Sequence, residues 1–292
     1  MTVLAVLYSG RVRVRDTETE DWVRFEPRSV CGSTLMRAHF NAHRFERHSH
    51  ETYSIGLTTS GVQTFQCDGS RHASLPGDLI LFNPDQAHDG EKGSPEGFGY
   101  AILYVPDETV AACRDAQSGI DLPQYFGKPV VRDVVVAQAF ARMIDAVGQD
   151  GERLHGEELV CDLLVKLLVR HGERRGDGRA LSAGANRMTR VRDYLQAHFE
   201  QDIGIDELAK QAGLSRVHLT RTFSRHFGVP PHVYLNAVRL HHARLAMAKG
   251  RALADVALDC GFVDQSHLNR RFKGAMGLTP VQWMRQVRGH AR

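Results

Sequence analysis

Residues 205–231, IDELAKQAGLSRVHLTRTFSRHFGVPP, and residues 253–280, LADVALDCGFVDQSHLNRRFKGAMGLTP, are two copies of one unit. Ala209 matches Ala257 and Gly213 matches Gly261, both 48 residues on. Leu219 matches Leu268, Phe223 matches Phe272, Gly228 matches Gly277 and Pro231 matches Pro280, all 49 residues on. The one-residue slip falls in a turn, where length varies most easily. No single-core fold requires such a repeat; a pair of small helical units does.

Each copy has the physics of a helix-turn-helix. Leu208, Ala209 and Ala212 face inward on a short first helix, and the small Ala209 lets a second helix approach closely. Gly213 ends the first helix, because the residue there needs positive φ. Leu214 plugs the turn and Ser215 caps the second helix, whose buried stripe is Leu219, Phe223 and Phe227. Val256, Ala257, Gly261, Phe262, the cap Asp264, Leu268, Phe272 and Met276 repeat the pattern.

The opposite faces are polar and basic. They offer Arg216, Thr220, Arg221 and Arg225 in the first copy, and Gln265, Ser266, Asn269, Arg270 and Lys273 in the second. Arg, Asn and Gln are the side chains able to pair bidentately with base edges in a major groove. Residues 231–249 read as one connecting helix; at 1.5 Å per residue it spans roughly 28 Å. Successive major-groove faces on one side of a duplex lie about 34 Å apart, so such a spacer suits two recognition helices on one DNA. Charge agrees. From Arg187 to the end there are 17 Lys and Arg against 8 Asp and Glu, +9; the remainder holds 20 against 26, −6. A basic half facing a polyanion is the simplest reading.

With these residues in view, positions 188–286 resemble the DNA-binding domain of the AraC/XylS family of transcription regulators. The run DVALDCGFVDQSHLNRRFKGAMGLTPVQWMR is close to that family's signature. The resemblance implies seven helices, control of transcription (most often activation), double-stranded promoter DNA as a partner, and contact with RNA polymerase.

The first half is different. Residues 20–106 carry short apolar segments (36–40, 53–59, 62–67, 100–105) separated by turn signals such as Ser60-Gly61, Asp68-Gly69, Pro76-Gly77 and Asn83-Pro84. Many short strands with regular punctuation suggest a barrel or sandwich. His48-Ser-His50, Pro76-Gly77-Asp78 and His88 are similar to the cupin-type effector domain found in many members of the same family. The expected fold is therefore two-domain α+β. A cupin-like β-barrel with flanking helices fills residues 1–173, a Gly- and Arg-rich linker 174–186, and the all-α DNA-binding domain 187–292.

His48 and His50, two apart on a strand, share a face, and His88 supplies a third imidazole. They could line a small-molecule pocket with Tyr104, hold a metal, or only hydrogen-bond within a barrel. Metal-dependent cupins place a Glu a few residues after the His pair; Ser54 and Ile55 stand there instead, and Glu51 falls on the wrong strand face unless a bulge intervenes. The spacing from Pro84 to His88 is one residue short, with Gln86 near the place of a Gly. The expectation is accordingly an effector site at His48, His50, His88 and Tyr104, with no catalytic residue, cofactor or metal. The rival is a metal-dependent cupin enzyme fused to a DNA-binding module.

Two helices are expected over about 134–147 and 157–171. Leu163, Leu164, Leu167 and Leu168 form a wide stripe on the second. It either covers the β domain or meets a second chain, and a homodimer is expected. Five scattered cysteines without a CxxC pair argue against a disulfide framework or zinc ribbon and fit a reducing compartment. The short apolar stretch 3–8 lacks the layout of a signal peptide, and no run approaches the ~20 apolar residues of a membrane helix, so a cytoplasmic protein is expected.

Overall fold

A computed structural model describes residues 20–26, 30–116, 122–148, 153–174 and 183–288. The stretch 3–8 and most of the linker, 175–182, lie outside them.

The first half is a two-sheet β structure backed by helices. Its strands are β1 (Trp22–Phe25), β2 (Thr34–Phe40), β3 (Phe45–His48), β4 (Tyr53–Gly61), β5 (Gln63–Cys67), β6 (Ser70–Ser74), β7 (Asp78–Phe82), β8 (His88–Lys92) and β9 (Phe98–Val105). Helix α1 (Asp107–Asp115), β10 (Tyr125–Phe126), β11 (Val130–Arg132), α2 (Val134–Gly148), α3 (Arg153–His171) and β12 (Gly172–Glu173) follow. One sheet runs β1-β2-β9-β4-β7-β11, the other β3-β8-β5-β6; β10 and β12 form a small third. All pairings are antiparallel. Among the described residues no ladder joins the two large sheets, so the cupin-like body is a flattened pair of sheets rather than a closed barrel.

Alternation along the strands gives the six-stranded sheet two apolar faces. Tyr53, Ile55, Leu57, Leu79, Leu81, Leu103 and Val105 point to the helical side, where they pack with α1, α2 and α3. Leu163, Leu164, Leu167 and Leu168 are at most 1% exposed within that core, which decides between the two expectations for the stripe: it covers the sheet. The stripe therefore offers no surface to a second chain, and the homodimer loses the observation that suggested it. Asp133 holds α2 and α3 together. Its Oδ1 accepts from the amides of Val135 (3.0 Å) and Val136 (3.2 Å) at the α2 N-terminus. Its Oδ2 accepts from Arg170 (2.6 Å) and His171 (2.8 Å). Cys113 on α1 and Cys161 on α3 form one disulfide, with Cα atoms 5.8 Å apart. A single crosslink is not a framework, but it departs from the reading that the cysteines fit a reducing compartment.

Among the described residues the second half has seven helices: α4 (Ala183–Ala197), α5 (Ile205–Ala212), α6 (Arg216–Phe227), α7 (Pro231–Ala248), α8 (Leu253–Asp259), α9 (Gln265–Met276) and α10 (Pro280–Arg288). Helix α4 starts inside the stretch read as linker, and Glu173, the residue just before that stretch, pairs with Tyr125. Gly213 is left-handed at φ 62°, and Ser215 Oγ accepts from the His218 amide (3.3 Å). Asp264 Oδ1 does the same for His267 (2.6 Å). Arg239 on α7 is buried and donates to the carbonyls of Phe199 and Gln201, both at 2.7 Å, anchoring the spacer helix to the loop after α4.

The two halves share one core. Phe25, Phe40, Phe45, Phe98, Tyr100 and Tyr104 from the β body pack with Leu240, Met247, Phe272, Met276 and Trp283. Polar contacts stitch the same seam. Arg47 Nε donates to Gly228 O (3.0 Å), and Arg271 lies 3.5 Å from Glu46. Gln286 on α10 bonds to β1 twice: its Oε1 accepts from Phe25 N (2.9 Å) and its Nε2 donates to Val23 O (2.7 Å).

Candidate functional site

His48 closes β3, His50 follows it, and His88 opens the neighbouring β8, with His48 and His88 directly opposite in register. The three rings converge, with centroids 4.6 Å (His48–His88), 4.9 Å (His48–His50) and 5.3 Å (His50–His88) apart. Tyr104 stands 5.0 Å from His50, and Phe82 stacks on His88 at 3.8 Å. All four expected effector residues therefore meet in one place. Ser54 stands between Tyr104 and Phe82 in the register of β4, is fully buried, and its Oγ has no protein partner.

Burial disfavours charge on these groups. It holds His48 below the usual imidazole range. It holds His50 and His88 well below it, helped by the neighbouring imidazoles. Burial likewise pushes the Tyr104 hydroxyl up to about 12. The cluster is a set of neutral hydrogen-bonding groups at neutral pH.

One wall comes from the other half of the chain. A cleft of about 750 Å³, counting its open mouth, runs between residues 46–52 and helix α7, with Arg271, Ala275 and Met276 of α9 at its edge. Arg244 of α7 reaches over the Tyr104 ring, 5.8 Å from its centroid, and its buried Nε has no protein partner. Glu51 does not join the histidines; it turns to His241 of α7 at 3.1 Å. Burial, with Asp85 nearby, raises the Glu51 carboxyl to about 7, and burial, with Arg244 nearby, lowers His241 to about 4. The contact is thus a hydrogen bond with a neutral imidazole. Arg244 and His241 were missed from sequence, and Glu51 was weighed there only as a metal ligand. The available signal was a cation beside the apolar positions Leu240, Ala243 and Met247 of the spacer helix.

The second candidate surface is the pair of helices α6 and α9. Leu219 and Phe223, and Leu268, Phe272 and Met276, are buried as read. Arg221, Arg225, Gln265, Ser266, Arg270 and Lys273 are exposed; Thr220 and Asn269 are half-buried. Arg216 is exposed but paired with Asp206 of α5, and Thr220 donates to the Arg216 carbonyl (3.0 Å). Two apolar residues on this surface were overlooked: Val217, 67% exposed in the first turn of α6, and Val263, 79% exposed just before α9.

Known proteins share both halves. Residues 30–164 match the AraC-like ligand binding domain, and residues 208–286 match the helix-turn-helix domain. The HTH-type transcriptional regulator YbfI of Bacillus subtilis is 28% identical over 226 residues, 77% of this chain and 82% of that protein. An HTH-type transcriptional regulator of Staphylococcus aureus strain COL is 30% identical over 132 residues, 45% of this chain but only 18% of the relative. ToxT of Vibrio cholerae has the same fold: the apo structure of a single-substitution variant superposes at TM-score 0.56 with 14% identity, covering 94% of this chain and all of ToxT. A fatty-acid-bound ToxT structure gives the same TM-score at 13% identity, with 96% of this chain covered and all of ToxT. With a ligand-binding β domain fused to a tandem helix-turn-helix domain, the chain belongs to the AraC family of transcription regulators.

Proposed function

We propose that this protein is an effector-responsive transcription activator acting on promoter DNA in the cytoplasm. A small polar molecule at His48, His50, His88 and Tyr104 sets its activity. The observation that carries the reading is that Arg244, on the helix spacing the two DNA-reading units, lines the same cleft as His48 and His50 and reaches over the Tyr104 ring. An occupant touching both walls favours one arrangement of the halves, and a ligand shifts an equilibrium by its differential affinity for the two states. DNA reading falls to Arg216, Thr220, Arg221, Gln265, Ser266, Asn269 and Arg270, with Arg225 and Lys273 on phosphate. Arg216 starts from an exposed pair with Asp206 whose loss costs at most about 1 kcal/mol. We retain the division into 1–173, 174–186 and 187–292, and expect no catalysis.

The test begins with operators selected by the full chain from randomised duplexes. A reporter carrying the selected site upstream of a weak promoter should rise when the protein is expressed. The double substitution His50→Ala with Tyr104→Phe should remove the dependence on growth conditions while leaving operator affinity intact. A reporter that only falls would make the protein a repressor; a response surviving the double substitution would put the effector elsewhere.

A further inference from the structure

Arg216, the first residue of α6, and Asp206, in the first turn of α5, meet fork to fork. Arg216 Nε and Nη2 donate to Asp206 Oδ1 and Oδ2, the second bond at 2.5 Å. Both side chains stand in solvent, but the backbones beneath them are fixed. Leu208, Ala209 and Ala212 of α5 share a buried core with Leu219 and Phe223 of α6, and the Ser215 cap sets the first turn of α6.

The repeat shows what the carboxylate is for. An acid in the first turn of a helix favours the helix dipole, and that alone would account for Asp206. Glu207 already supplies one on α5, and its counterpart 48 residues on, Asp255, supplies one on α8. Asp206 has no such counterpart. Ala254 stands at its place in the second copy, and Gln265 stands at the place of Arg216. The acid and the cation are present together in one copy and absent together from the other.

A guanidinium carries five N–H groups in a planar fork, and a carboxylate on the Nε edge takes two of them. The second N–H of Nη2 and one N–H of Nη1 remain, parallel, on the outer edge. In the major groove guanine sets two acceptors, O6 and N7, side by side. Adenine pairs an acceptor with a donor, and thymine an acceptor with a methyl. An edge of two parallel donors therefore selects guanine.

We propose that Asp206 is a positioning residue for base reading: it stays paired with Arg216 on DNA and aims the outer edge of the guanidinium at one guanine. This rests on the reading above that Arg216 contacts a base. Arg216 opens the recognition helix, the end that enters the groove. If it left Asp206, a carboxylate without its cation would face the phosphates; the intact pair brings them no net charge. A side chain already held also has less rotamer freedom to lose, which is worth roughly 2- to 10-fold in binding.

The test uses the full chain and its variants to select operators from randomised duplexes, with affinities measured for the selected duplex and for an unselected one of equal length. We expect the unaltered chain to enrich guanine at a position that Arg216→Ala leaves open. Asp206→Ala should lower the guanine preference at that position at least about 3-fold. Every other position should be unchanged, with no loss on the unselected duplex. Asp206→Asn, which keeps the size, should act in the same direction and serves if the Ala variant melts early. Arg216→Lys should also lose the guanine, because an ammonium has no fork. Adding Asp206→Ala to Arg216→Ala should change nothing further at that position. An unchanged guanine preference in both Asp206 variants, or a loss spread over all positions, overturns the positioning role. So does tighter binding of the selected duplex by Asp206→Ala, since the pair would then compete with DNA. If Arg216→Ala itself alters no base preference, the assignment of Arg216 as a reader falls, and the role of Asp206 falls with it.

Discussion

Gly213 ends the first helix of one unit and Gly277 the second helix of the other, both in the left-handed conformation, at φ 62° and 75°, yet their surroundings differ. A Cβ at Gly213 meets nothing within 4 Å; at Gly277 it would sit 2.6 Å from Phe40 Cε1. Phe40 cannot move aside, being fully buried with its ring against Phe45, Phe98 and Tyr100 at 4.9, 5.9 and 6.2 Å. Gly213→Ala should therefore cost only the conformational penalty, about 1 kcal/mol. Gly277→Ala adds overpacking of a closed core, a further 1–3 kcal/mol or so. Urea unfolding of both variants, followed by tryptophan fluorescence, measures the difference directly. Trp283 packs on Phe25 and Phe272 in the shared core and reports on the relevant region. Phe40→Leu frees space at the ring edge, so in that background the excess cost of Gly277→Ala should shrink by at least half. Equal losses for the two single substitutions would refute the claim that the halves are pressed together at Phe40.

Three further outcomes are expected. Burial alone would raise the Asp133 carboxyl, but hydrogen bonds from Arg170 and His171 hold it at about 2. Its folded value lies below the unfolded one, so its contribution of about 2 kcal/mol is complete above pH ~4 and is lost as pH falls through about 2. Asp133→Asn should destabilise the protein at pH 7 and flatten acid unfolding in that window; an unchanged acid limb would contradict this. Reducing the Cys113–Cys161 bond, which spans 48 residues, or replacing Cys161 by Ser, should lower stability by up to about 4 kcal/mol in thermal unfolding. Arg221→Ala and Arg270→Ala should each cost about 1–3 kcal/mol and relax preference at one base pair, whereas Lys273→Ala should weaken every sequence and lower the salt slope by about one. A uniform loss in all three, read by operator selection and salt titration, would erase the division between base readers and phosphate anchors.

The helix-turn-helix pair was legible because its determinants are local: Gly213, Ser215 and Asp264 act on backbone within three residues of themselves. The β half was legible only in outline, since turn signals mark where strands end but not which sheet they join. The Leu163–Leu168 stripe had helical period and no address; only the fold shows it lying on Ile55, Leu81 and Leu103. His48, His50 and His88 could be grouped by spacing. Arg244 could not, because nothing in the order of residues states that α7 crosses the mouth of the β body.

The two hydrogen bonds from Gln286 to β1 have a consequence for solubility. A primary amide can present an N–H and a carbonyl oxygen with the polarity of a peptide unit, so at Val23 and Phe25 it imitates one residue of a neighbouring strand. Among the described residues the six-stranded sheet ends at β1, and an open outermost strand is a template for another chain. Here that border is closed by a side chain from the far end of the polypeptide. Any motion that lifts α10 away, whether on binding DNA or on truncation near residue 286, uncovers the border together with Phe25 and Trp283. Shortened or partly opened molecules are therefore expected to self-associate through β1, and a charged residue in place of Val23 would suppress it.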